Sequence, residues 1–250
     1  MDIIKAIASE LNVRNNQVEA AVKLIDEGCT IPFISRYRKE ATGALNDEQL
    51  RNLDERLKYL RNLEDKKTQV IASIAEQGLL TDELKNQIEK ADTMVAVEDL
   101  YRPYRPKRRT RATIAKEKGL EPLANIIMLQ MTGEPVVKTA EEYVSEEKDV
   151  KTPEDAVAGA KDIIAESISD NADYRTRIRE LTFKEGVLTS AAKDAEAKTV
   201  YEMYYNFSEP AAKMAGHRIL AVNRGENEKI LTVKIEAPVD KILAYLEKQI

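Results

Sequence analysis

Apolar residues recur along most of this chain in steps of three and four, the period of an amphipathic helix. Ile3, Ile4, Ile7 and Leu11 share one face and predict a helix from Asp2 to Leu11. Asn15 or Asn16 can cap a second helix carrying Val18, Ala21, Val22 and Ile25, with Gly28 as its stop. Two short helices around a turn admit a helix-turn-helix reading and an ordinary helical hairpin equally. The segment from Ile31 to Lys39 is compact and mixed, with apolar side chains to bury and Arg36, Arg38 and Lys39 left outside. Asn46 followed by Gln49 is a capping-box variant that opens the longest helical pattern. Leu50, Leu53, Leu57 and Leu60 form its stripe, Glu64 and Lys67 interrupt it, Val70, Ile71 and Ile74 resume it, and Gly78 ends it.

The helical period continues beyond Thr81, which starts a helix with acids in its first turn. Thr110 caps a helix closed by Gly119, and Pro122 sits near the first turn of another. Residues 133–151 are polar and acidic and read as a solvated connection with room for some helix. Thr152, Pro153, Glu154 and Asp155 are a cap, a first-position proline and two acids, a strong helix start. A further helix carrying Tyr174, Ile178 and Leu181 stops near Gly186. Val200, Met203, Tyr204 and Phe207 make an aromatic-rich stripe, and a helix from about His217 to Arg224 ends at Gly225. There the period changes. Leu231, Val233 and Ile235 alternate with polar residues, which is a strand, and Pro238 opens a last helix. One strand cannot pair alone, so its partner must be Val187–Thr189, another chain, or residues past Ile250. The expected fold is mostly α, an elongated multi-helix assembly with helix-turn-helix-like parts and one short strand region near the C-terminus. The expected division is a helical region over residues 1–190 and a helix–strand–helix segment over 191–250.

Charge changes this picture at one place. The chain carries a formal net charge of -5, yet the stretch from Tyr101 to Arg111 (YRPYRPKRRTR) contains no acid. Its cations are Arg102, Arg105, Lys107, Arg108, Arg109 and Arg111. Pro103 and Pro106 stiffen it, and cations on a stiff loop hold the spacing that a phosphate backbone requires. The competing reading is a solvated face whose arginines pair with Glu98, Asp99 and Glu117. Tyr101 and Tyr104 fit better as anchors of the loop than as base-stacking rings. Arg36, Arg38 and Lys39 form a weaker basic patch that Glu40 and Asp47 can neutralise.

Other chemistry finds little footing. One cysteine, Cys29, excludes an internal disulfide, and with one histidine, His217, it speaks against a Cys/His zinc site. His217 lacks a serine or cysteine nucleophile motif and reads as a structural residue at a helix start. The sequence holds no P-loop or dinucleotide-binding glycine string and no apolar run of membrane-span length. No enzyme activity, cofactor, metal or membrane contact is expected, and a cytoplasmic monomer is.

Three blocks carry a resemblance. They run from Ile31 to Leu45 (IPFISRYRKEATGAL), from Glu98 to Ala112 (EDLYRPYRPKRRTRA) with Lys118 to Ala124 (KGLEPLA) beyond it, and from His217 to Glu226 (HRILAVNRGE). In order and spacing they resemble the N-terminal region of the Tex family, bacterial transcription accessory proteins. The resemblance implies a helical scaffold that supports nucleic-acid binding, RNA or DNA, in transcription. It also implies that the main binding module, a C-terminal OB-fold domain, and an RNase-H-like domain lie outside these residues. The direct-contact reading places phosphates on Arg102, Arg105, Lys107, Arg108, Arg109 and Arg111, joined by Arg36, Arg38 and Lys39. The alternative is a protein-interaction scaffold that docks RNA polymerase or the protein's own C-terminal domains. Two positions depart from the family pattern: Arg102 stands where an apolar residue is frequent, and Lys229 where a glycine is.

Overall fold

The computed structural model describes residues 2–130 and 133–250. They fold into two compact units, Met1–Arg105 and Pro106–Ile250. The division expected near residue 190 falls inside a strand, and the units divide instead within the basic loop.

The first unit is helical. In chain order its helices are α1 (Ile3–Leu11), α2 (Asn15–Asp26), α3 (Ile31–Tyr37), α4 (Asp47–Glu76), α5 (Asp82–Lys90) and α6 (Met94–Tyr101). α4 is the spine, touching each of the other five. The Asn46 side chain accepts from the Gln49 amide while Gln49 returns a bond to the Asn46 amide, the expected capping box. Leu50, Leu53, Leu57, Leu60, Leu63, Val70 and Ile74 of α4 are all buried. Burying each such side chain contributes roughly 1.5–3 kcal/mol. Lys67 does not interrupt this stripe as its charge led us to expect. It is 3% exposed, and its Nζ donates to Glu64 Oε1 and to the Glu89 carbonyl, both at 2.9 Å. A satisfied ammonium continues the stripe and ties α4 to the end of α5. Burial alone would raise the Glu64 carboxyl, but the hydrogen bond and charge of Lys67 bring it below its ordinary value. Arg61 of α4 grips Asp26 at 2.7 and 2.8 Å, and its guanidinium holds that carboxyl below the usual range.

The second unit holds α7 (Arg111–Glu117), α8 (Glu121–Leu129), α9 (Val136–Ala140), α10 (Pro153–Asp170), α11 (Ala172–Glu185), β1 (Val187–Ala192), β2 (Asn206–Pro210), α12 (Gly216–Asn227), β3 (Leu231–Glu236) and α13 (Val239–Leu246). α10, opened by the Thr152 capping box, packs on α7, α8 and α9. Ala140 and Val150 join that core, so part of the segment expected to be a solvated connection is structural. Its buried positions are few and widely spaced, which hides them among the acids.

The three strands form one antiparallel sheet in the order β2-β1-β3. β1 is the partner that β3 needed, with Val187 opposite Glu236 and Ala192 opposite Leu231. β2 was not foreseen. Tyr204 ends a short 3-10 turn and Phe207 lies on the strand, so their shared spacing is not one helix face. Two glycines act through packing. Gly225 lies inside α12 and does not end it; a Cβ there would meet Leu231 Cδ1 at 2.7 Å. The helix ends instead through Lys229, whose φ of 61° is left-handed where a glycine would be unstrained. Gly159 lets α10 approach Leu120, since a Cβ would sit 2.4 Å from Leu120 Cδ1.

Gly159 yields a sign test. Alanine gains about 1 kcal/mol in helix propensity over glycine. Overpacking against the 1%-exposed Leu120 costs typically 1–3 kcal/mol, and the clash should win. Gly159→Ala should lower the melting temperature; an unchanged or higher value would show that Leu120 yields freely.

Candidate nucleic-acid interface

The basic loop begins on the first unit. Tyr101 closes α6, and its hydroxyl lies 3.0 Å from Ser73 Oγ. Gln77 Nε2 donates to the Tyr104 carbonyl at 3.0 Å, and both tyrosines pack against the core of this unit. They are anchors, which leaves their rings little face for a base.

The loop's cations differ in how far they are committed. Lys107 lies between Asp170 and Glu166, bonded to the first and 3.2 Å from the second. Its side chain keeps 26% of its surface and that of Asp170 only 9%, so this contact serves the fold of the second unit. Thr110 Oγ1 also donates to Glu166, at 3.0 Å, while accepting from the Thr113 amide as the cap of α7. Arg109 meets Glu117 at 3.2 Å, Arg111 meets Asp162 at 3.6 Å and Arg105 meets Glu98 at 3.9 Å. The Arg109 and Arg111 side chains stay 71% and 86% exposed. Exposed pairs of this kind are worth about 0–1 kcal/mol, and a phosphate can replace such a carboxylate. Arg108 is exposed and, among the described residues, meets no carboxylate. Arg102 is exposed as well, and it has a partner.

The weaker patch of the sequence is built differently. α3 is short, with Pro32 in its first turn and Ile34 fully buried beneath it. Phe33, Arg36 and Tyr37 stand three and four residues apart, are neighbours on the helix surface, and are all exposed. Arg36, Arg38 and Lys39 are exposed, and no carboxylate among the described residues is in ion-pair contact with them. Asp47, a candidate to neutralise them, is taken by Arg51 at 2.7 Å. The Arg38 guanidinium carbon stands 5.8 Å from the Phe33 ring centroid.

The chain after α3 is pinned. Thr42 is fully buried, and its hydroxyl lies 3.3 Å from the Arg38 and Lys39 carbonyls. Gln17 of α2 donates to the Gly43 carbonyl at 2.8 Å. Arg36 thus projects from the last turn of α3, and Arg38 and Lys39 from a braced turn. Sequence reasoning ranked the acid-free, proline-stiffened loop above the patch that Glu40 and Asp47 could neutralise. It could not see which cations already had acids.

His217 is exposed at the start of α12. Among the described residues no three His, Cys, Asp or Glu side chains cluster so as to hold a metal ion, and no helix is long and apolar enough to cross a membrane.

Comparison with known proteins places these surfaces in a family. Residues 1–75 match the Tex-like protein N-terminal domain, and residues 132–249 match the Tex central region-like model. This chain belongs to the Tex family. It is 52% identical over 247 residues to uncharacterized protein YdcI of Bacillus subtilis, covering 98% of this chain and 34% of that protein. It is 42% identical over 243 residues to transcriptional accessory protein Tex of Neisseria gonorrhoeae, covering 96% of this chain and 32% of the relative. It is 30% identical over 244 residues to the human S1 RNA-binding domain-containing protein 1, covering 94% and 24% respectively. The chain thus spans about a third of the length of its bacterial Tex relatives.

The geometry separates the two kinds of cation. Lys107→Ala removes an ion-pair partner from the nearly buried Asp170 and from Glu166 and should cost about 1–3 kcal/mol of stability. Arg108→Ala should stay within about 0.5 kcal/mol of the parent. Chemical denaturation of both variants checks this, and equal loss in the two would refute it.

Proposed function

We propose that this chain is a helical scaffold of a Tex-type transcription accessory protein and that it contacts nucleic acid directly. The observation that carries the reading is the set of cations that meet no carboxylate among the described residues: Arg36 in the last turn of α3, Arg38 and Lys39 on the braced turn after it, and Arg108 in the loop. Arg109 and Arg111 can join by exchanging an exposed carboxylate for a phosphate. Lys107 is withdrawn from the set, since its partners are largely buried. A groove-reading helix-turn-helix role for α2 has weaker electrostatic support, because its exposed face sets Glu19 and Asp26 beside Lys23. Relatives named for transcription and for an RNA-binding domain agree with this reading.

Such binding is sequence-tolerant and weak, because the net charge of -5 opposes approach at long range. Each neutralised phosphate adds about -0.7 to -0.9 to the slope of log K against log salt. Replacing Arg36, Arg38 and Lys39 together with alanine should reduce the magnitude of that slope by roughly two to three units. An unchanged slope and affinity would remove α3 from the interface. We assign no catalytic step to this chain. Purified protein incubated with labelled RNA, DNA or ATP and magnesium or manganese should leave all three intact; turnover that tracks His217 would overturn this.

A second reading, the protein-interaction scaffold, has one observation in its favour. In the second unit an apolar groove of about 780 Å³ lies among α10, α11, β3 and α13, lined by Ile168, Ile178, Phe183, Ile235 and Leu246. Phe183 is 78% exposed and Ile235 60%. The occupant we assign is the remainder of a full-length family member, the part of the relatives' length that this chain does not span. Phe183→Glu should abolish co-purification with that remainder expressed separately; undiminished association would exclude the groove.

A further inference from the structure

Phe33 and Tyr37 are unusual occupants of an exposed helix face. Phe33 is 39% exposed and Tyr37 70%, although neighbouring Ile34 is fully buried. Their ring centroids are 5.4 Å apart with planes 44° from each other. Arg36 is their neighbour at helical spacing, and the Arg38 guanidinium stands over the Phe33 ring. The hydroxyl of Tyr37 has no hydrogen-bond partner among the described residues. These rings therefore contribute little to the core of the first unit, while Arg36, Arg38 and Lys39 are their neighbours in the chain.

We infer that Phe33 and Tyr37 form a base-stacking platform for single-stranded nucleic acid, with Arg36, Arg38 and Lys39 holding the phosphates on either side. This rests on the nucleic-acid reading above and names the kind of ligand. An aromatic face is useful only to a base whose own face is free. A duplex keeps its bases stacked on one another and offers phosphates alone. Stacking on an aromatic ring tolerates any base, in keeping with cations that read no sequence. The braced turn fixes the backbone of Arg38 and Lys39 just after Tyr37, so less backbone ordering is needed on binding.

The chain contains no tryptophan, which makes the platform directly observable. Tyr37→Trp installs the sole tryptophan of the protein at the proposed contact. At low salt, oligo-dT and oligo-rU of about 12 nucleotides should bind, as read by anisotropy of a fluorescein label, and should quench that tryptophan in proportion to saturation. A blunt duplex of equal length should bind more weakly and leave the tryptophan unquenched. Comparison of the two oligomers tells whether RNA or DNA is the better source of the strand. Phe33→Leu with Tyr37→Leu, which keeps apolar bulk but no ring, should weaken single-strand binding by roughly 5- to 150-fold. Tyr37→Phe should restore it when compared with Tyr37→Leu. Circular dichroism confirms that each variant is folded. Single-strand binding without quenching, with the leucine variant as tight as the parent, overturns the platform and leaves phosphate contact standing. No binding of any oligomer at low salt overturns both.

Discussion

Everything in the first unit hangs on the apolar stripe of α4. A helix this long gains little from propensity alone, and most of its stability comes from what it buries. Seven large aliphatic side chains of α4, from Leu50 to Ile74, bury against α1, α2, α3, α5 and α6. Lys67 lies within that stripe and is accommodated because Glu64 and the Glu89 carbonyl satisfy it. The same spine sets the candidate interface. It buries Ile34 beneath α3, which turns Phe33, Arg36 and Tyr37 to solvent, and it holds Tyr101 and Tyr104 at the start of the basic loop.

A cation's value to a phosphate depends on what it already holds. Lys107, between a nearly buried aspartate and a glutamate, would take an ion-pair partner from both acids if it moved away. Arg109 and Arg111 meet acids in open solvent, where the pair is weak and exchangeable. Arg36, Arg38 and Lys39 give up nothing of that kind. Arg36 on α3 and Arg38 and Lys39 on the braced turn are thus cations not spent on the fold, as Lys107 is.

The basic loop also has a place in the architecture, because the two compact units divide within it. Arg105 pairs on one side with Glu98, and Lys107 on the other with Glu166 and Asp170. The first end of the loop is thus fastened to its unit by Tyr101 and Tyr104 and the second end by Lys107. Proline at 103 and 106 suits such a junction, since it limits the backbone without requiring donors.

Local chemistry was legible in the sequence. Caps at Asn46, Thr81, Thr110 and Thr152, the stop at Gly78, and the strand from Leu231 all act through residues close in the chain, so spacing alone reveals them. The three blocks of family resemblance were legible for the same reason: each is a continuous run. What only the tertiary structure decided were meetings between distant residues. Lys67 was satisfied by a carbonyl twenty-two residues away. β2 became a strand through its pairing with β1, since its own residues show no clear alternation. Gly225 proved to be a packing contact because Leu231 folds back on it. Lys107 found Asp170 sixty-three residues on, while the cations after α3 found no acid among the described residues. Spacing carries the periodicity of a helix, but only the folded chain determines which charges are already neutralised by the time a ligand arrives.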